Sequence, residues 1–121
     1  MRVDGQEVEF CSFRKFEQGC NLLTSKLAGY EFDGLYAVPR GGLAVGLRLS
    51  HLMDLPMREK SNVADDTLII DDISDTGKTL KPYQENPIAT LYYRKGSQVV
   101  PDVWAFEKTD KWVVYWWELR Q

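Results

Sequence analysis

Apolar residues recur at steps of three and four between Phe10 and Tyr30: Phe13, Phe16, Cys20, Leu23, Leu27 and Tyr30. That period predicts an amphipathic helix with one buried face. Gly29 and the stretch Phe32-Asp33-Gly34 supply its stop. Leu35 to Val38 is a short apolar run of strand character, broken by Pro39-Arg40-Gly41-Gly42. Leu43 to Met53 is apolar on several sides and predicts a well-buried second helix. Met57 to Asn62 reads as a modest edge strand. Thr67 to Ile70 is a continuous β-prone run, as in a strand covered on both faces. Gly77 to Gln84 reads as a short helix and Ile88 to Tyr93 as a further strand.

Strand, helix, strand, strand, helix, strand is the order of a small α/β domain with a mainly parallel sheet. Such sheets bind ligands beyond the carboxyl ends of their strands. The turns at Pro39–Gly42 and Asp71–Thr79 both fall there. The tail from Pro101 to Glu118 differs, because it carries all four tryptophans: Trp104, Trp112, Trp116 and Trp117. Val103–Glu107 and Lys111–Trp117 are expected to form a hairpin around Lys108-Thr109-Asp110. No repeat, low-complexity segment or linker interrupts the pattern, so residues 1–121 read as one domain.

Charge narrows the function. Fifteen basic residues stand against 18 acidic ones, a net −3. Proteins that bind nucleic-acid phosphates usually show a basic excess, so that partner is disfavoured. No apolar run reaches the ~18–20 residues that cross a bilayer, and the N-terminus carries acids where a signal peptide is apolar. Cys11 and Cys20 are the only cysteines, and both are expected within the first helix, where they are poorly placed to bond. Reduced thiols in a cytoplasmic protein follow. His51, the only histidine, has no ligand-like spacing around it.

The chemistry concentrates in Leu68–Leu80, LIIDDISDTGKTL. Gly77 permits a positive φ, so successive N–H groups of Asp75-Thr76-Gly77-Lys78-Thr79 can face an anion. The expected helix adds its N-terminal donors, and the hydroxyls of Thr76 and Thr79 add more. A nucleotide-triphosphatase P-loop would need glycine at position 72. Asp72 stands there, and its carboxylate would repel a triphosphate. Adjacent carboxylates at Asp71 and Asp72 instead suit the paired hydroxyls of a ribose, or a divalent cation. Sugar hydroxyls, a phosphate and a metal are the ligand this stretch describes.

Thr67–Leu80 closely resembles the phosphoribosyl-pyrophosphate (PRPP) signature of type I phosphoribosyltransferases: apolar residues, two acids, two variable positions, then D-T-G-x-T. Val38-Pro39-Arg40-Gly41-Gly42 resembles that family's pyrophosphate loop. Arg40 and the N–H groups of Gly41 and Gly42 would hold the diphosphate, and the Pro39–Arg40 peptide would be cis. Lys111–Glu118, KWVVYWWE, is similar to the base-binding hood of the xanthine-guanine and hypoxanthine branch, here about residues 101–121.

The resemblance implies a small type I phosphoribosyltransferase fold: a twisted, mainly parallel sheet flanked by helices, with a short C-terminal hood. It implies transfer of phosphoribose from PRPP to an oxo-purine, giving a nucleoside 5′-monophosphate and diphosphate. Asp71 and Asp72 would hold the ribose, and Asp75 to Thr79 the 5′-phosphate. Asp75 would act near N7 of the base. Trp112 would stack on the purine, the Val113 backbone would bond its edge, and Arg94 or Lys95 would reach its 6-oxo group. Mg²⁺ would be held by Asp72, with Glu118 at the metal–diphosphate end.

A homodimer is expected from the small size and the tryptophan-rich tail. The chain departs from the family in having only Arg58 to Asp66 for the flexible loop, without a Ser-Tyr pair. Arg58, Lys60 and Ser61 are the candidates there to close over the diphosphate. It departs again in Trp116, which stands where a proline is usual. A non-catalytic PRPP or nucleotide sensor, and a phosphoribosyltransferase for another base, are the competing readings. Trp104, Trp116 and Trp117 are expected to be core or interface residues.

Overall fold

The structure, a computed structural model, describes residues 1–119, so the last two positions of the expected hood, Arg120 and Gln121, lie outside the described residues. The strands are β1 (Arg2–Val3), β2 (Gln6–Cys11), β3 (Leu35–Ala37), β4 (Leu68–Ser74), β5 (Ile88–Tyr93), β6 (Val103–Glu107) and β7 (Trp112–Tyr115). The α-helices are α1 (Phe13–Lys26) and α2 (Gly42–Met53). The central sheet runs β3-β4-β5-β6, and each neighbouring pair is parallel. The expected α/β class with a parallel sheet is therefore the fold found.

Both faces of this sheet are apolar, and they are covered differently. Leu35, Leu68, Ile70, Ala89 and Leu91 pack against Phe16, Cys20 and Leu23 of α1 and Val45 and Leu49 of α2. Tyr36, Ile69 and Ile88 of the sheet pack with Leu80 and Val99, which belong to loops. Burial on both faces explains why β4 and β5 read as continuous apolar runs.

A second sheet of order β1-β2-β7 sits apart from the first. Its β2–β7 pair is parallel, with Val8 opposite Trp112 and Cys11 opposite Tyr115. The expected hairpin of Val103–Glu107 with Lys111–Trp117 is thus not formed. β6 joins the edge of the central sheet, and β7 pairs with the N-terminal strand. The hood is built from both ends of the chain.

That pairing also corrects the first helix. Phe10 and Cys11 belong to β2, and α1 begins after Ser12, whose Oγ accepts from the Lys15 N–H at 3.1 Å. This is a serine N-cap, a stop that helical periodicity alone ran through. At the other end α1 stops at Lys26 rather than Tyr30. Cys11 and Cys20 accordingly lie on different elements, both buried and both free thiols.

Two shorter elements also differ. Met57 makes only an isolated parallel bridge to Leu35, and Lys60–Asn62 is a 3-10 turn rather than a strand. Gly77–Gln84 contains a 3-10 turn at Lys81–Tyr83 and no α-helix. Pro82 has no N–H to donate and disfavours helical backbone at Lys81 before it. Among the described residues no helix is long and apolar enough to cross a membrane.

Gly19 shows how closely α1 sits on the sheet. A Cβ there would collide with Leu91 and fall 2.9 Å from the Phe106 ring. Alanine favours a helix over glycine by about 1 kcal/mol. Gly19→Ala is nevertheless expected to destabilise the fold by about 1–3 kcal/mol through overpacking, measured by urea unfolding.

Candidate active site

The carboxyl ends of β3 and β4 open into a cleft of about 700 Å³ lined by Pro39, Arg40, Gly41, Asp71, Asp72, Thr79, Trp117 and Glu118. β3 delivers the loop Pro39–Gly42, and the Pro39–Arg40 peptide is cis, as expected from the resemblance. Glycine is required at two positions here by close approach. A Cβ on Gly41 would strike the Asp72 carboxylate, and one on Gly42 would lie 2.7 Å from the Ile70 carbonyl. The Gly42 N–H already donates to Val38 O at 2.9 Å. Of the three residues expected at the diphosphate, Arg40 and Gly41 line the cleft and Gly42 does not.

β4 runs longer than the apolar pattern implied and carries both acids inside the strand. Asp71 lies opposite Thr90 in register and is 6% exposed. Its Oδ1 accepts from the Asp72 N–H at 2.8 Å. Burial raises the Asp71 carboxyl far above the ordinary carboxylate range, and the neighbouring Asp72 carboxyl pushes the same way. Burial also raises Asp72. Such a pair calls for a ligand that brings positive charge or hydroxyl donors.

Beyond the strand, Asp71 to Gly77, Thr79 and Leu80 enclose a smaller pocket. Gly77 has φ 88° and sits so close to the following loop that a Cβ would press on the N–H groups of Val99 and Gln98. Gln98 N donates to Thr76 O at 2.9 Å, and Ser74 Oγ bonds both Ser97 Oγ at 2.8 Å and Val99 O at 2.7 Å. This bracing from residues 97–99 shapes the turn. An α-helix N-terminus, expected from the sequence, does not contribute. Lys78 is exposed and outside the pocket lining, and its N–H donates to Thr76 Oγ1 at 3.2 Å.

Asp75 is the centre of a charged cluster. Arg94 Nε donates to Asp75 Oδ1 at 2.5 Å, and Lys108 Nζ lies 3.9 Å from Asp75 Oδ2. The Lys108 side chain is only 9% exposed. Tyr93 and Glu107 are register partners of β5 and β6, so Arg94 and Lys108 leave the sheet side by side. Lys95 is exposed in the turn that follows β5. Sequence reasoning named Arg94 and missed Lys108. The signal lay in the register, because Lys108 directly follows a strand that ends beside Arg94.

The hood places its residues unevenly. Trp112 is 63% exposed at the start of β7 and does not line the main cleft, while Val113 beside it is buried. Trp117 does line the cleft, against its expected role as core or interface. Its ring stacks on Tyr115 with centroids 4.5 Å apart and planes 6° from parallel. The "WE" of the ending was the available sign. Trp116 packs edge-on against Phe13 and Phe16, and Trp104 packs on Tyr93, as core residues do. Glu118 lines the cleft, but its Oε1 accepts from the Tyr115 N–H at 2.9 Å. Arg58 is engaged with the Asp33 carbonyl at 2.7 Å, and neither it nor Lys60 nor Ser61 lines the cleft.

Sequence comparison with family models and with curated proteins finds no match. Comparison of the fold with solved structures does. A purine phosphoribosyltransferase from Pyrococcus horikoshii is 30% identical with a TM-score of 0.80, over 93% of this chain and 94% of that one. The chain belongs to the type I phosphoribosyltransferases, in their purine branch. A xanthine-guanine-hypoxanthine phosphoribosyltransferase from Helicobacter pylori shares the fold at 18% identity and a TM-score of 0.79, covering 94% of each chain. A hypothetical protein from Neisseria gonorrhoeae, solved with bound ppGpp, shares it at 14% identity and a TM-score of 0.74. That match covers 93% of this chain and 91% of the other.

In this phosphoribosyltransferase the raised carboxyls make stability depend on pH. A carboxyl raised in the folded state gives stability that is fully present below the unfolded value, about 3.9. That stability is lost as pH rises through the folded value. Asp71→Asn, which keeps an oxygen for the Asp72 N–H, is therefore expected to raise the Tm of metal-free protein at pH 8. The gain should shrink towards zero near pH 4, as followed by thermal unfolding at both values.

Proposed function

We propose that this phosphoribosyltransferase transfers the phosphoribosyl group of PRPP to a 6-oxopurine, releasing diphosphate and forming a nucleoside 5′-monophosphate. The observation that carries the reading is the cluster at Asp75. A carboxylate able to accept a proton is joined there by two cations, Arg94 and Lys108, at the end of the phosphate turn. Arg and Lys are donors only. They suit the carbonyl oxygen of an oxo-purine and offer nothing to the exocyclic amine of adenine.

The remaining groups divide the substrate. Thr76, Gly77 and Thr79 line the pocket assigned to the 5′-phosphate, and Lys78 between them is exposed. Asp71 and Asp72 take the ribose hydroxyls, and Arg40 with Gly41 takes the diphosphate. Trp112 presents an open aromatic face for stacking, and the Val113 backbone borders it. Lys95 lies too far into the exposed turn to be preferred over Arg94 for the 6-oxo group.

Cleavage of the anomeric C–O bond leaves positive charge on the ribose, as in glycoside hydrolysis. The acidic pair Asp71–Asp72 faces that charge, and the Arg40 guanidinium faces the negative charge gathering on the departing diphosphate. The ring nitrogen of the purine attacks the anomeric carbon, and Asp75 receives the proton given up at N7. Holding the 5′-phosphate away from the reacting bond converts binding into orientation.

Among the described residues no three His, Cys, Asp or Glu side chains form a metal cage. Two adjacent acids, the buried Asp71 and the half-buried Asp72, beside a diphosphate loop nevertheless fit Mg²⁺, which binds through one or two carboxylates and keeps water and phosphate ligands. Asp72 with Asp71 would hold it, with the free oxygen of Glu118 nearby. Bound there, Mg²⁺ supplies positive charge to the leaving diphosphate.

The direct test is incubation with PRPP, Mg²⁺ and each nucleobase in turn, following diphosphate release. Release with hypoxanthine, guanine or xanthine and none with adenine is expected. PRPP binding without release for any base would make the protein a sensor. Asp75→Asn is expected to lower kcat about 10²–10⁴-fold while PRPP affinity, by calorimetry, changes little; equal losses in both would remove Asp75 from proton transfer. Trp112→Ala is expected to raise KM for the purine about tenfold, since stacking and its burial supply on the order of 1–2 kcal/mol, with KM for PRPP unchanged.

A further inference from the structure

Ser74 stands at one of the two variable positions of the signature, yet it is 1% exposed at the end of β4. Its hydroxyl bonds Ser97 Oγ at 2.8 Å and the Val99 carbonyl at 2.7 Å. Ser97 Oγ in turn accepts from the Val99 N–H at 3.3 Å, and Ser97 is itself buried. The proton count fixes the direction of each bond. A serine hydroxyl has one proton to give, and a carbonyl only accepts, so Ser74 gives its proton to Val99 O. Ser97 must then donate to Ser74. The three bonds run from Val99 N–H to Ser97, from Ser97 to Ser74, and from Ser74 back to the Val99 carbonyl. They form a closed ring in which every proton is used.

The ring backs directly onto the phosphate turn. A Cβ on Gly77 would lie 2.9 Å from Ser97 Oγ and 2.9 Å from Gln98 N. The Gln98 N–H donates to Thr76 O at 2.9 Å, a further tie between the loop after β5 and the turn. Ser74, Thr76 and Gly77 line the pocket assigned to the 5′-phosphate, whereas Ser97, Gln98 and Val99 do not. We infer that Ser97 is a positioning residue for the 5′-phosphate: without touching the anion, its hydroxyl closes the ring that holds the turn in its receiving shape. A cradle of backbone N–H groups binds an anion only while those groups keep their arrangement. Here a 3-10 turn follows in place of an α-helix, so the arrangement is fixed from the side. The inference rests on the reading of this turn as the 5′-phosphate site.

Ser97→Ala removes one hydroxyl outside the pocket. It leaves Ser74 without a donor and the Val99 N–H without an acceptor, both in buried surroundings. The readout is selectivity for the phosphate. Calorimetry compares guanosine 5′-monophosphate with guanosine, which lacks only that group, and Mg²⁺–PRPP with Mg²⁺–diphosphate. The monophosphate and PRPP are expected to bind about tenfold more weakly, the effect of a lost buried bond. Guanosine and diphosphate should stay within about twofold of wild type. In the transfer assay KM for PRPP should rise about tenfold while KM for the purine is unchanged. A variant that is merely less stable has an intact site in its folded molecules and keeps the wild-type selectivity.

The wild type offers a check that needs no variant. Coupling between sites is reciprocal. If the closed ring strengthens phosphate binding about tenfold, bound phosphate must hold the ring closed to the same degree. Amide exchange at Gln98 and Val99 is therefore expected to be about tenfold slower in saturating Mg²⁺–PRPP than in saturating Mg²⁺–diphosphate. Equal exchange in the two would overturn the inference, as would wild-type selectivity in Ser97→Ala or equal weakening of all four ligands. If the wild type binds PRPP but transfers to no base, the transfer reading fails and these measurements still decide the role of Ser97. If it binds no phosphate-bearing ligand, both fail.

Discussion

Two adjacent acids within β4, the buried Asp71 and the half-buried Asp72, set the constraint around which the rest of the site is arranged. Solvation would spread them apart or cover them with water. The strand forbids the first, because Asp71 is locked in register with Thr90 of β5. The surrounding elements limit the second, since Gly41 from the loop after β3 closes over Asp72. Burial in the sheet favours the neutral form of Asp71, and the neighbouring Asp72 pushes the same way. The empty site answers by holding the Asp71 carboxyl protonated well above the ordinary carboxylate range.

The same economy governs the phosphate turn. A helix following Gly77 would have lent its N-terminal donors to an anion, but Pro82 rules it out. The chain fixes the turn from outside. Ser74 and Thr76 bond to Ser97, Gln98 and Val99, so the loop after β5 acts as a strap across the turn after β4. One consequence is that the turn's shape depends on the connection that also carries Arg94. The turn after β4 and the Arg94 side are therefore linked through six residues, 94 to 99.

How much of this was legible in the chain follows from the range of the interactions involved. The DD…DTG stretch, the Pro39–Gly42 loop and the parallel core are local patterns, and each could be read from a dozen residues. Long-range pairings could not. β2 finds its partner β7 across the whole length of the sequence, so Phe10 and Cys11 looked like the first turn of α1 until Ser12 was seen as its cap. The hood looked like a hairpin because β6 and β7 are adjacent in sequence, although they join different sheets. Lys108 was missed for the same reason. A lone lysine after a strand carries no signal until the register of β5 and β6 places it beside Arg94.

The distribution of charge within the site also bears on why a chain with a net −3 charge can handle a substrate as anionic as PRPP. Acids and cations are not mixed but sorted by depth and by end. The acids without a cation partner, Asp71 and Asp72, sit where the proposed reading puts the sugar and its metal. The cations Arg94 and Lys108 flank Asp75, so that its negative charge is largely answered before any base arrives. Lys108 is almost fully enclosed, and an enclosed ammonium with one carboxylate partner keeps spare donors. Only an acceptor can use them. On the proposed reading, an amine placed there would leave those donors unpaired, whereas a carbonyl oxygen would take them.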